Sequence, residues 1–547
     1  MTLTPRFIQN RGTMLQDEFR YMPTPAHQGT LYWEYMGSDS KLEEQQSQPG
    51  YNHPQVDSRW LVNLRHNTTL DSGSFRIGTD FTRVAANDYN YFNDFTPKVG
   101  TQVDNQLQQS LKAGYYQQNW NLDAEVRTYQ ILLASAQQPH ELMPRINHNY
   151  YQQGSWYDLA WNTELTNFGY NNDQAIAQNQ GEAYTGTRFH TAPTLTIPLI
   201  DEAGYFLDSQ YKLMYTRYDQ TVPDNMSSTF TNRFTPVGGG DVTLEEGTIT
   251  RVLPSFRLKG GMTFERDQQW FGEGANQTLE PEFQYLYVPY KNQNDIGLYD
   301  TTNMLPDYYS LFSDRRFAGL DRMSDFNTIS TGLTSRVFDN QSVERVRVTV
   351  GQAYSLTLPE VTLLPNETQS TNSRSQLALE GDVHPSDPWF LKGRMLYDTE
   401  AEQVYLGSTA VEYRQDKYMG QLNYRYVREG NVVFDAPYEQ TDMSQLGGLT
   451  SVPLNQKWQA IAAYYYDLKQ HRNIDRLVGL RYDSCCWSVD LVLEQENKPD
   501  NVTLTSSTET SIGLQFQMKG LGSVGSGTDY SLNTQLLPYT RPFNLND

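Results

Sequence analysis

Cysteine is nearly absent from this chain, and long apolar runs are missing altogether. Two cysteines in 547 residues exclude a disulfide-stapled scaffold and a cysteine-rich metal site. No stretch approaches about 18 consecutive apolar residues, so nothing reads as a transmembrane helix. Positive charge is scarce as well. Forty-two Lys and Arg stand against 64 Asp and Glu, a net charge of −22, which leaves no basic stripe to displace counterions from nucleic acid. The opening "MTLTPRFIQNRG" lacks the apolar segment of a secretory signal. An exported protein beginning this way would be a mature fragment or a truncated one. The eight His are scattered, with no pair at ligand spacing, no H-E-x-x-H, no G-x-S-x-G elbow and no phosphate-binding loop. "GLGSVG" at Gly520–Gly525 matches a dinucleotide fingerprint, but "SGTDYSLNTQ" after it is a poor helix, so a flexible turn is expected. No catalytic, metal or cofactor site emerges, and the chain reads as a non-enzyme.

What the chain does have is tyrosine. There are 38 Tyr, with 23 Phe and 9 Trp, in a sequence whose mean hydropathy is −0.67. Polar and aromatic residues together replace aliphatic ones. That balance suits a transmembrane β-barrel, where alternate residues face water and aromatic girdles mark both interfaces. A soluble all-β protein that binds carbohydrate would share the aromatic excess. Period-two alternation recurs throughout. In "VERVRVTVGQAYSLTL" Val346, Val348, Val350, Tyr354, Leu356 and Leu358 share one parity, and Arg345, Arg347, Thr349, Ser355 and Thr357 the other. "MGQLNYRYVRE" and "TSIGLQFQMKG" repeat the pattern. A last strand over Thr510–Lys519 would run about 33 Å and, tilted, cover roughly 25 Å of membrane.

Long polar connections are expected at Gly37–Ser58, Gln137–Tyr151, Gln220–Gly247, Pro365–Ser375 and Arg428–Ser444, with short links such as Asp483–Ser484 between some of them. Short turns on one side and long loops on the other is the barrel pattern. One barrel domain is expected over residues 1–520, followed by a tail over 521–547. The carboxylates of "FERD" (264–267) and "GLDR" (319–322) read as lumen salt bridges.

Two local features stand apart. Pro5 lies in what reads as a strand at the start of the chain, where it cannot donate to a ladder and is confined to an edge or a bulge. It marks either an ordinary edge or a weakened seam. The two cysteines are adjacent, in "YDSCCWSVDLVL" at 482–493. Strand alternation carried through the Asp483–Ser484 turn puts Cys485 on the lipid parity with Trp487, Val489, Leu491 and Leu493, and Cys486 on the other with Ser488 and Asp490. Thiols on opposite faces would bond to each other only under strain. In an oxidising compartment they would either stay idle or find partners outside this stretch of chain.

Several stretches taken together resemble one known family: "RGTMLQDEFRY" (11–21), "YFNDF" (91–95), "GGMTFERD" (260–267), "QTLEPEFQYLYVPYKNQNDI" (277–296), "DYYSLFSDRRFAGLDRM" (307–323), "GLTSRVFD" (332–339), "QLNYRY" (421–426), "AAYYYDL" (462–468) and "YDSCCW" (482–487). In order, they resemble the C-terminal barrel of the LptD family, which assembles lipopolysaccharide (LPS) in the Gram-negative outer membrane. The resemblance implies an antiparallel barrel of about 26 strands with no enzymatic activity. It also implies an N-terminal periplasmic β-jellyroll that this chain lacks, and a lipoprotein, LptE, plugging the lumen. LPS would arrive over a periplasmic LptA bridge and pass between first and last strands into the outer leaflet. The family's adjacent cysteines pair with two in the N-terminal domain, a role that falls here on Cys485 and Cys486. Alignment places the gate side of the path on Pro5, Ser511, Gly513, Gln515 and Gln517, the last four facing the lumen. It also starts the chain near the family's second strand, leaving the first gate strand absent or incomplete. A TonB-type importer or a large porin is the alternative. An importer of about 22 strands would carry its own plug, and a porin would need only about 16–18 strands.

Overall fold

The computed structural model describes residues 2–48, 55–95, 97, 99–100, 106–132, 138–171, 182–236, 238–270, 272–369, 371–431, 440–499, 506–518 and 522–525. Among the described residues the alternating segments form one antiparallel sheet of 26 strand segments, with a separate two-stranded pair at Thr302–Asn303 and Phe317–Ala318. The path is a meander. Gly12–Thr24 pairs with His27–Met36, which pairs with Arg59–Leu70, and neighbour-to-neighbour pairing continues to Trp487–Pro499 with Ser506–Met518. Gly247–Met262 and Phe264–Trp270 are two halves of one strand interrupted at Thr263, both laid on Glu273–Val288. The fold is a large antiparallel β-barrel.

Burial runs opposite to that of a soluble protein. On Tyr418–Asn431, Leu422 is 66% exposed, while Gln421 and Asn423 are buried. On Glu344–Ser355, Val348 is exposed and Thr349 buried, and on the last long strand Ile512 and Leu514 are exposed. Meanwhile Arg59, Arg188, Arg251 and Arg322 are among the largest fully buried side chains. Leaving so many large apolar groups in water would forgo about 25 cal/mol for each Å². A lipid-facing exterior and a polar lumen remove that conflict. No described helix is long and apolar enough to cross a membrane; the crossing elements are strands.

Connections sort by rim. At one rim they are short: 25–26, 71–74, 117–119, 203–204, 416–417 and 484–486 are examples, and none exceeds five residues. The other rim carries the long ones at 37–58, 85–105, 222–246, 289–325 and 356–376. The expected loops at Gly37–Ser58, Gln220–Gly247 and Pro365–Ser375 fall on this rim. Two expectations were misplaced. Gln137–Tyr151 is mostly the strand Glu141–Gln153, and strands reach to Asn431 and resume at Gln440 inside Arg428–Ser444. The last strand is Ser506–Met518, so it begins four residues before the expected Thr510. Gly522–Gly525 forms no open turn but a short strand folded back on Gln515–Met518, carrying the sheet past residue 520. The rest of the expected tail, 526–547, lies outside the described residues.

Several long loops fold inward. The helix Tyr91–Phe95 packs in a cluster with Met14, Met36, Leu61, Val84 and Leu107 behind the first strands. The helix Ser228–Phe234 sends Phe230 and Phe234 into a second cluster with Phe168, Tyr184, Tyr218, Ile296 and Tyr299. Its N-cap, Ser227, accepts from the Thr229 amide and closes the free helix start.

Candidate transport seam and lumen anchors

The sheet ends in two strands, Thr2–Ile8 and Ser506–Met518, whose free edges border a candidate seam. Thr2–Ile8 pairs with Gly12–Thr24 from Thr2↔Glu18 to Ile8↔Gly12, so the chain does open with a strand, though a short one. Residues 19–24 of its neighbour extend past it, with no partner on that side among the described residues. At the other end, Ser506–Met518 pairs along its length with Trp487–Pro499, and its free edge carries Gly522–Gly525 only over Gln515–Met518. Among the described residues no ladder joins Thr2–Ile8 to Ser506–Met518. Pro5 sits in register with Leu15 on a strand paired on one side, the edge position a proline tolerates.

Register assigns faces at the closing edge. Ser511 pairs with Glu494, Gly513 with Val492, Gln515 with Asp490 and Gln517 with Ser488. Directly opposed residues share a face, and Val492, Asp490 and Ser488 are buried. Ser511 and Gly513 therefore belong to the inner face, and the backbones of Gln515 and Gln517 are in register with the buried Asp490 and Ser488. The side chains of Gln515 and Gln517 lie outside the described residues. Outward, both seam edges are apolar, with Leu3, Phe7, Ile512 and Leu514 all exposed.

The opening edge is anchored and the anchor is electrostatic. Arg6 Nη1 donates to the Phe95 carbonyl at 2.9 Å. Arg11 reaches Asp39 at 2.7 Å and Asp94 at 2.5 Å. Arg59 joins Asp39, Asp88 and Asp94 at 2.6–2.8 Å. Burial alone would raise the Asp39 pKa, but the Arg59 and Arg11 guanidinium groups hold it below the ordinary carboxylate value. Its second oxygen accepts from the Leu42 amide, capping the helix Ser40–Gln46.

A second anchor holds the loop 289–325 inside the barrel. Arg188 meets Glu164 and Asp300 at 2.6 Å and Asp321 at 2.8 Å. Arg251 donates to the Leu320 carbonyl at 2.6 Å, the Asp321 carbonyl at 2.9 Å and Gln293 at 2.6 Å. Asp321 also accepts the backbone amides of Tyr299 and Asp300. Against the raising effect of burial, Arg188 holds Asp300 down at about 2. Asp321 moves up instead, because burial and the neighbouring Asp300 charge outweigh its share of Arg188. Gly319 allows the turn. Its φ is +78°, and a Cβ there would come within 2.6 Å of the Asp300 carbonyl.

"GLDR" thus supplies a lumen salt bridge as expected. "FERD" does not: Glu265 and Asp267 are exposed near the short-turn rim, and Arg266 donates to Gln277 at 2.8 Å. The loop 289–325 is the longest inward element and was not marked by its polarity, although "DYYSLF" and "GLDRM" carry the aromatic and charged residues that anchor it. The buried role of Arg188 has no sequence signal beyond its inward parity.

Cys485 and Cys486 occupy the turn 484–486 on the short-turn rim, both exposed, with sulfurs 3.0 Å apart. The expectation that they point to opposite faces fails because the strand starts only at Trp487, and alternation does not hold in a turn. The turn is well held. Ser484 N donates to the Trp487 carbonyl at 2.8 Å, Asp483 N to the Lys457 carbonyl at 2.7 Å, and Arg481 clasps Asp490 at 2.6 Å. No group of three or more His, Cys, Asp or Glu suited to a metal occurs among the described residues.

The family model LptD, described as LPS transport system D, matches residues 57–458. Over its whole length the chain is 61% identical to the LPS-assembly protein LptD of Aeromonas salmonicida, covering 67% of that protein. The same identity and coverage hold for the LPS-assembly protein LptD of Aeromonas hydrophila. The protein of that name from Shewanella frigidimarina is 34% identical over 557 residues, again with 67% of its length covered. Among solved structures, a ferric enterobactin receptor mutant of Pseudomonas aeruginosa gives a TM-score of 0.33 at 9% identity, over 93% of this chain and 78% of that one.

Proposed function

Because the chain belongs to the LptD family, we propose that it is the outer-membrane barrel through which LPS is inserted into the outer leaflet, leaving sideways between its first and last strands. The observation that carries this reading is the seam: two strand edges, apolar outside and polar inside, with no ladder between them among the described residues. LPS is a large amphiphile with an anionic head and several acyl chains. It needs a wet lumen for its sugars and a lateral slit for its chains, and a closed ladder would cost several kcal/mol for each backbone group broken in lipid. Pro5 lowers that cost on one edge, and Ser511, Gly513, Gln515 and Gln517 line the path on the other.

A barrel this wide requires a partner in its lumen, since barrels of about 22 strands are already plugged; the lipoprotein LptE is the proposed occupant. Cys485 and Cys486, exposed on the short-turn rim, serve as the attachment points for a periplasmic domain ahead of this barrel, the domain that meets the LptA bridge. The role is transport and carries no enzymatic step. A TonB-type importer or a porin is disfavoured by the family match and by a sheet of more than about 22 strands.

Photo-crosslinking amino acids placed at Pro5 and Gln515 in cells making LPS test the path. Both should capture LPS, and an outward control at Leu422 should capture far less. Failure at both seam positions while LPS still reaches the surface would end the proposal.

A further inference from the structure

Beneath the inward loop 289–325, between it and the inner wall, lies a cavity of about 130 Å³. Lys212 of the wall lines it together with Asp314, Arg315, Arg316, Arg322 and Ser324 of the loop. Lys212 Nζ is 2.8 Å from Asp314, and that contact uses the only carboxylate of the lining. Arg315, Arg316 and Arg322 form no ion pair among the described residues. Four cations against one carboxylate leave an excess of three positive charges, in a chain whose net charge is −22. The local field therefore opposes the global one.

Two buried polar atoms at this cavity have no partner: Arg322 Nη2 and Ser324 Oγ. Their residues are only 2% and 4% exposed. Arg322 is not loosely placed, because Nε donates to the Leu363 carbonyl at 3.0 Å and Nη1 to the Asp321 carbonyl at 3.3 Å. That leaves one guanidinium N–H edge unspent at the cavity the residue lines. Buried polar groups are satisfied in the great majority of cases, so a fixed donor and a hydroxyl left over on residues lining one cavity mark a missing acceptor. Burial also lowers the pKa of Arg322, and the nearby Asp321 charge offsets this only in part. Guanidinium forks and a hydroxyl are the donor set that suits phosphate oxygens. At about 30 Å³ for each water displaced, the cavity has room for one phosphate group with a few waters.

We propose that this cavity is an anion site that takes a phosphate group of the phosphorylated saccharide head as the substrate crosses the lumen. The inference rests on the transport reading given above. Exposed Arg315 and Arg316 draw the anion in, and buried Arg322 and Ser324 orient it. A mobile cargo must also leave, which the solvent-facing pair permits.

The test uses the complete protein with its lumen partner, purified in detergent. Inorganic phosphate, titrated at constant low chloride and followed by ³¹P line broadening, should bind saturably. The double variant R315Q/R316Q should weaken binding at least tenfold with an unchanged melting temperature, Ser324→Ala should weaken it less, and the exposed control Arg266→Gln should match the wild type. Arg322→Gln also removes a loop anchor, so R315Q/R316Q is the decisive variant. In a second arm, intact LPS should displace the phosphate and enzymatically dephosphorylated LPS should not. Absence of saturable broadening in the wild type, or an unchanged affinity in R315Q/R316Q, overturns the site. Phosphate binding that intact LPS fails to displace overturns its assignment to the substrate and leaves a site for free phosphate. Failure of the transport reading looks different: phosphate would still bind, while the cross-links at Pro5 and Gln515 would be missing.

Discussion

The barrel wall from Gly12 to Ser355 and the wall from Leu377 to Met518 are built from the same kind of strand but are held in different ways. The first is backed by inward loops and locked through arginine. Arg59 and Arg188 each bind three carboxylates, and Arg251 fastens loop carbonyls. The second has short connections at 399–402 and 468–471, and its inner face carries an apolar cluster of Leu449, Ile461, Ala463, Tyr465, Leu477 and Val492. Directional, charge-assisted contacts resist displacement along specific vectors, whereas apolar side chains slide past one another at little cost. The difference makes one side of the seam a fixed post and the other the compliant side.

The sharpest way to break the contrast is to remove a locking arginine. Arg188→Ala leaves Glu164, Asp300 and Asp321 buried without their cation, a loss of about 3–5 kcal/mol. It should lower the temperature at which the folded barrel loses its fast gel mobility by far more than any single change in the second wall. Acid should act on the same side. Burial pushes His140, packed among the rings of Tyr170, Tyr184 and Tyr299, down to about 4. The folded state therefore holds this ring neutral while the unfolded chain protonates near 6.5. Its contribution is complete above about pH 6.5 and is lost as pH falls toward 4, up to about 3 kcal/mol. Melting followed from pH 7 to 4 should show this loss, and His140→Gln should flatten it. The smallest effect belongs to the second wall. Leu449→Ala should cost about 2 kcal/mol, at the low end for a buried leucine because water from the lumen can fill the space. A loss in the melting of that variant equal to that of Arg188→Ala would erase the distinction between the walls.

Much of the wall was legible because lipid and lumen impose alternation on it. The parity of Val348, Leu422, Ile512 and Leu514 needed no knowledge of neighbours, and neither did the contrast of short and long connections. Legibility ended where the strands end. Cys485 and Cys486 were assigned to opposite faces by a rule that stops at Trp487. "FERD" and "GLDR" look alike on paper, yet Asp321 is fully buried against Arg188 and Asp267 lies in the open. Which charge is buried depends on where a loop of more than thirty residues folds, a long-range outcome with no local signature. Gly522–Gly525 was missed for a related reason: a four-residue strand is made by the edge it joins, and its own sequence says little.

The sorting of connections by rim has a consequence for traffic. With only short turns at one mouth and the folded-in loops crowding the other, the barrel is obstructed at one end and plain at the other. On the proposed route, cargo entering the plain mouth would meet packed aromatic rings and buried arginine ahead of it. That crowding leaves the seam, on the proposed path, as the less obstructed exit.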